Sequence, residues 1–275
     1  MPELPEVETV RRDLDPVLVG RRLSLVDASG ARSVRRYADP AAFADALTGR
    51  QVVATGRLGK YLVFRLDGGD VWIVHLRMSG QLLLATGAAP KHTHVELTLD
   101  DGLVVRFVDP RTFGEMWVAG TEPSGAIPDL AHIGPDAWTT CPSARLLAAG
   151  FARRRTLAKS LLLDQGFIAG LGNIYADEVL HRAGIRFDRR TDEVPRAAIT
   201  RLHGAIGDVL GEAIEARGST LGDQQYVDIS GRPGRYGPSH RVYGREGKPC
   251  LRCGSPIVRA RFGNRSAYSC LRCQR

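Results

Sequence analysis

Long apolar runs are missing from this 275-residue sequence, and lysine is scarce. No hydrophobic stretch approaches the ~18 residues of a membrane-spanning helix, and no basic start leads into an apolar segment, so neither a span nor a signal peptide is expected. Of 38 basic residues only Lys60, Lys91, Lys159 and Lys248 are lysines, leaving 34 arginines. Arginine is the better phosphate fork, although a GC-rich genome gives the same bias. A net charge of +8 and a pI near 9.6 point to a polyanionic partner, nucleic acid being the usual one. With 43% hydrophobic and 25% charged residues, the chain suits a soluble protein with a sizeable core and two domains.

Cysteine is rare until the end. Cys250-x2-Cys253-x16-Cys270-x2-Cys273 has the spacing of a tetrahedral zinc held by four thiolates. Without an export signal the compartment is reducing and cytoplasmic, which favours one structural zinc over two disulfides. Cys141 reads as a small filler residue.

Hydropathy patterning divides the chain. Val7, Val10, Leu14 and Leu18 share a face of a helix over 4–18, with Pro5 and Glu6 in its first turn, so Pro2, Glu3 and Glu6 cluster at its positive end. From about 20 to 118 the period is two: Leu62, Phe64 and Leu66, then Val95, Leu97 and Leu99, then Leu103, Val105 and Phe107, with turns at 67–70 and 100–102. This predicts an antiparallel β-sandwich. Four prolines between 120 and 142 mark a linker, after which 146–163, 174–181 and 199–216 read as helices. The segment 218–237 has little periodicity and reads as a mobile loop.

Removal of Met1 would leave Pro2 with a free secondary amine flanked by carboxylates, able to attack a sugar carbon and form an iminium. Gly170-Leu171-Gly172-Asn173 opens a helix and suits either a phosphate or a tight helix connection. Arg153-Arg154-Arg155 lies one helix upstream and, with that turn, suggests a backbone clamp. Between the CxxC pairs, 257–262 and 265–269 bracket Gly263-Asn264 as a hairpin with Arg265 at its turn, either solvated or a finger into nucleic acid.

Several ordered motifs together resemble the formamidopyrimidine-DNA glycosylase family: Pro2-Glu3-Leu4-Pro5-Glu6, Gly59-Lys60-Tyr61-Leu62, His75-Leu76-Arg77-Met78-Ser79-Gly80, Asp109-Pro110-Arg111-Thr112-Phe113-Gly114, Leu163-Asp164-Gln165, Gly170 to Glu178 and the four cysteines. The resemblance implies an α+β multidomain fold: a β-sandwich with an N-terminal helix (1–120), a linker (121–142), a helix–two-turn–helix domain (143–235) with a lesion loop (218–233), and a zinc-finger hairpin (236–275). It implies a base-excision enzyme acting on double-stranded DNA with oxidised purines or abasic sites, as a monomer. Pro2 is then the nucleophile, Glu3 the ring-opening proton donor, Lys60 the β-elimination and phosphate residue, and Arg265 the δ-elimination residue. Met78, Arg111 and Phe113 fill the hole left by the extruded base, Glu6 meets the lesion, and His92, Arg154 and Asn173 hold the backbone.

Two departures stand out. Thr112 occupies a position where many relatives carry arginine, and Asp223-Gln224-Gln225-Tyr226 leaves the lesion-loop preference open. Two alternatives are an endonuclease VIII type acting on oxidised pyrimidines, against which Leu4 argues because that group typically has glycine there, and a non-catalytic zinc-ribbon protein, against which Pro2, Glu3, Lys60 and Arg265 argue.

Overall fold

Val7, Val10, Leu14 and Leu18 are all buried along one side of α1 (Leu4–Leu18), as their spacing requires. Glu3 is its N-cap, and the Glu6 carboxylate accepts from the Glu3 N–H at 2.8 Å, closing a capping box. In the computed structural model, which describes residues 1–222 and 225–275, α1 belongs to a first unit made of Met1–His132 and Ala216–Arg235. Ile133–Glu215 and Tyr236–Arg275 form a second.

The first unit carries two antiparallel sheets. One runs β1 (Leu23–Asp27), β6 (Thr93–Leu99), β7 (Val104–Val108), β5 (Gln81–Leu84); the other runs β2 (Val52–Leu58), β3 (Tyr61–Leu66), β4 (Val71–His75), β8 (Glu115–Ala119). Their inward side chains, among them Leu97 and Phe107 from one sheet and Leu62 and Trp72 from the other, share one core with α1. That shared core makes the pair a sandwich, as the alternation predicts. One helix, α2 (Pro40–Leu47), interrupts the region read as all strands; Asp39 caps it by accepting from the Ala41 N–H at 2.9 Å. At eight residues it is too short for periodicity to reveal.

The second unit is helical. The stretch read as one helix over 146–163 is two, α3 (Ala144–Arg153) and α4 (Ala158–Leu163). The chain breaks because residues 154–159 pair elsewhere: the Thr191 hydroxyl donates to the Arg154 carbonyl, and the Ala158 and Lys159 N–H groups donate to Arg189 and Phe187. Then follow α5 (Asn173–Ala183) and α6 (Arg196–Glu215). The cysteine module contains the hairpin β9 (Val258–Phe262) and β10 (Arg265–Ser269), with Arg265 paired to Phe262 across Gly263-Asn264.

Residues 216–235, attached to the helical domain in the sequence reading, group with the first unit. The described part of this segment is packed: Tyr226 and Ile229 lie in the sandwich core, and the Ile229 carbonyl accepts from the Leu84 N–H. Asp223 and Gln224 lie outside the described residues.

Candidate active site and nucleic-acid interface

Pro2 is buried directly before α1, with Glu3 and Glu6 buried beside it. Glu6 binds two backbones. One oxygen accepts from Glu3, and the other accepts from the Ser219 N–H at 2.7 Å. Gly218 has φ of +79°, and a Cβ there would stand 2.7 Å from the Glu6 carboxylate, so this contact requires glycine. Arg217 fixes the same segment by pairing with Asp13 at 2.5 Å and Asp228 at 2.7 Å.

Lys60 occupies a two-residue turn between β2 and β3 and is 7% exposed. Arg57 ties that turn to α1, donating to the Gly59 carbonyl and the Glu8 carboxylate, each at 3.0 Å. Burial pushes the Glu8 carboxyl up, but Arg11, Arg57 and Arg12 outweigh it and hold the group below its ordinary range. His75 ends β4, its Nδ1 accepting from the Arg77 N–H at 2.9 Å. Burial, then the positive charges of Arg77 and Lys60, push its imidazole down to about 3. His75 is therefore neutral at physiological pH.

Met78, Arg111 and Phe113 are exposed on two turns braced from beneath by one residue. Asp109 is fully buried. Its carboxylate accepts from the Ser79 hydroxyl at 2.5 Å, the Arg111 N–H at 3.1 Å and the Gly114 N–H at 2.6 Å. Its main chain accepts from or faces His94 Nε2 at 2.9 Å, and its N–H donates to the carbonyl of exposed His92. A Cβ at Gly80 or Gly114 would strike the Phe107 ring, at 2.9 and 2.5 Å, so both turns sit on one aromatic floor. Arg111 stacks over Phe113 with 5.2 Å between guanidinium and ring centre. The sequence singles out the three projecting side chains but not their brace.

In the second unit Asn173 is the first residue of α5. The Gln165 side chain builds the preceding turn, accepting from the Gly170 N–H and donating to the Leu163 and Leu171 carbonyls. Arg154 is exposed and extended after α3, 4.9 Å over the Phe167 ring. Arg265 projects from the hairpin, whose foundation is a fully buried ion pair. Lys159 Nζ lies 2.8 Å from Asp177 and donates to the Ser266 carbonyl at 2.9 Å, while Asp177 accepts from the Tyr268 N–H at 3.0 Å.

The four cysteine sulfurs of the module lie within 4.8 Å of one another, at 3.5 Å for Cys253–Cys270 and 3.9 Å for Cys250–Cys273. Four Zn–S bonds of ~2.3 Å in a tetrahedron place sulfurs about 3.8 Å apart, so the donor set fits zinc and leaves no position for water. His181 Nε2 approaches Cys250 at 3.5 Å, and Glu178 accepts from the Arg241, Val242 and Tyr243 N–H groups, binding α5 to the module. Neither anchor is visible in the sequence, because each lies within a helix that periodicity explains.

The comparisons with known proteins cover the same three regions. The Formamidopyrimidine-DNA glycosylase N-terminal domain matches residues 1–116, the H2TH domain of that glycosylase 133–225, and the zinc finger found in FPG and IleRS 247–275. A formamidopyrimidine-DNA glycosylase of Salinispora arenicola is 48% identical, the match covering 100% of this chain and 96% of that one. The chain belongs to the formamidopyrimidine-DNA glycosylase family. Among solved structures, the MutM (FPG) protein of Thermus thermophilus is similar at a TM-score of 0.88 and 37% identity, over 99% of this chain and 98% of that one. The Lactococcus lactis Fpg has been solved with DNA containing N7-benzyl-Fapy-dG and with DNA containing an abasic site, each at a TM-score of 0.87 and 32% identity, covering 99% or more of both chains. As a glycosylase-family member the chain carries the family's four-cysteine zinc finger, and no helix among its described residues is long and apolar enough to cross a membrane.

Proposed function

We propose that this family member is a bifunctional DNA glycosylase and abasic-site lyase that excises oxidised purines, 8-oxoguanine and formamidopyrimidines, from duplex DNA. The carrying observation is the terminus: Pro2, whose nitrogen becomes an amine once Met1 is removed, is buried immediately before a helix cap closed by the buried carboxylates of Glu3 and Glu6. The lesions in the DNA of the Lactococcus lactis complexes support the substrate class. We place the activity in the cytoplasm, at the nucleoid, and assign it to a monomer.

The lesion base leaves the stack, and Met78 and Phe113 fill the gap while Arg111 donates to the orphaned cytosine. Glu6 and the segment bound to it meet the extruded base. Neutral Pro2 nitrogen attacks C1′ as the bond from C1′ to the base breaks and the base departs with a proton. Glu3 protonates the ring oxygen as the sugar opens, leaving an iminium between Pro2 and C1′. Loss of the C2′ proton then expels the 3′ phosphate, and a second proton loss expels the 5′ phosphate. Lys60 and Arg265 neutralise the departing phosphates in those two steps, while His92, Asn173 and Arg154 hold the backbone.

Borohydride tests this reading by reducing the iminium. On DNA with 8-oxoguanine opposite cytosine, the trapped peptide should begin at Pro2. Protein that retains Met1 should bind DNA and trap none there, because an amide nitrogen is not nucleophilic. Trapping at Lys60 would overturn the assignment of the nucleophile, and tight lesion binding with no trapping would favour a non-catalytic binder.

A further inference from the structure

At the C-terminal end of α5, opposite its Asn173 end, the second unit contains a hollow of about 450 Å³. Arg182, Arg189, Arg201, Arg252 and Arg275 line it, and no acidic side chain does. Arg182 is neutralised by a double contact with Glu212 at 2.6 and 2.8 Å. The other guanidiniums are not. Arg201, Arg252 and Arg189 donate to the main-chain carbonyls of Ala183, Arg182 and Glu193, and among the described residues none of these three, nor Arg275, forms an ion pair with a carboxylate. Ile185, Val194 and Ala198 supply apolar lining between them.

A neighbouring hollow of about 580 Å³ shares Arg189 and Arg275 with the first, but Asp188 and Glu193 line it too, and Arg186 and Arg190 there are paired with carboxylates, so the unpaired cations are concentrated in the first. The first hollow therefore forms the groove that favours an anionic occupant. We infer that this groove docks an acidic peptide segment of a partner protein, carboxylates meeting the unpaired arginines and an apolar side chain entering between Ile185 and Val194. Convergent guanidiniums around an apolar floor suit such a segment because Arg binds carboxylates through its fork while flexible acidic chain reaches into a concavity.

Duplex phosphate is the competing occupant, and the geometry argues against it. A duplex presents phosphates along a convex, stiff backbone, which cations on an open surface follow better than cations gathered round a hollow. The hollow also lies ~15 Å along α5 from Asn173, at the end of the helix dipole that repels anions. Its anion preference therefore comes from the arginines alone.

The test uses the zinc-loaded protein and a fluorescent peptide of alternating glutamate and aspartate around a central leucine, read by anisotropy. Binding should weaken with salt, weaken when the leucine becomes serine, and fall by about tenfold or more in Arg252→Glu/Arg275→Glu. That variant should keep its zinc content and its affinity for lesion duplex, and duplex should not displace the peptide from the wild type. No peptide binding, or equal binding by the variant, would overturn the inference. Displacement by duplex with a matching loss of duplex affinity in the variant would make the groove a DNA surface instead. Should the variant lose zinc, hydrogen exchange on the wild type decides: peptide must protect residues 182–185 and 251–254, and protection elsewhere counts against the groove.

Discussion

In the first unit the candidate side chains other than Pro2, Glu3 and Glu6, which sit at the start of α1, ride on turns, and all four non-glycine residues with positive φ among the described residues, Arg77, His92, Thr112 and Arg217, fall there. In the second unit the candidates sit at a helix start, a helix end and a metal-bound hairpin, with no such backbone among its residues. A left-handed non-glycine residue costs about 1–3 kcal/mol and persists only where its surroundings over-determine it. In the first unit buried Asp109 and His75 supply that restraint from beneath. The hairpin of the second unit has almost no core of its own, so zinc and buried charges on α4 and α5 hold it. One unit thus places side chains by bracing strained turns, the other by bolting a small module to a stable helix.

Removing the metal is the harshest test of that contrast. Cys273→Ser should lose zinc and unfold the module, since structural zinc contributes on the order of ~10 kcal/mol or more to so small a fold. Duplex affinity and strand cleavage should fall together, while hydrogen exchange across β3 and β4 stays slow. Normal DNA affinity without zinc, or a matching loss of protection in the sandwich, would end the distinction between the units.

Lys159→Met comes next, because it strands the buried Asp177 carboxylate. Urea denaturation should show a loss of about 3–5 kcal/mol, most of it recovered in Lys159→Met/Asp177→Leu, where no charge remains buried. If the double variant were as unstable as the single one, the pair would serve as more than an anchor for the hairpin.

The contrast also explains what could be read in advance. The 4–18 helix was legible to its ends because apolar spacing and the first-turn residues Pro5 and Glu6 agree, and the zinc site because ligand spacing is local. The break at 154–157 was not, since its hydrogen-bond partners lie at 187–191. Nor was the packing of 225–235, whose anchors Tyr226 and Ile229 are isolated apolar residues with no period. Projecting Met78, Arg111 and Phe113 were found through resemblance. Their supports, Asp109 and His75, belong to the same motifs, but only folding reveals that one carboxylate serves both turns.

Acid should strain the first unit through His75. Its folded imidazole takes up a proton only near pH 3, whereas in the unfolded chain it does so near 6.5. The unfolded state therefore binds more protons between those values, and stability is full above about 6.5 and declines as pH falls. The loss attributable to His75 should reach ~3 kcal/mol by about pH 4. His75→Gln should flatten that slope; an unchanged slope would place the acid sensitivity in other groups.

The smallest effect is expected at Ser79, and it is the most discriminating. Ser79→Ala removes one of the three hydrogen bonds to the Asp109 carboxylate and leaves Met78, Arg111 and Phe113 in place. Stability should fall by only about 1 kcal/mol, the net value of one such bond. If Asp109 couples the two turns, loosening it at Ser79 should reduce the preference for cytosine opposite the lesion proposed for Arg111, by less than the ~1–3 kcal/mol expected for Arg111→Ala. The two changes should then combine sub-additively, because each disturbs the same contact. Strict additivity would mean that the Met78 turn and the Arg111 turn act independently, and that the shared carboxylate braces each without linking them.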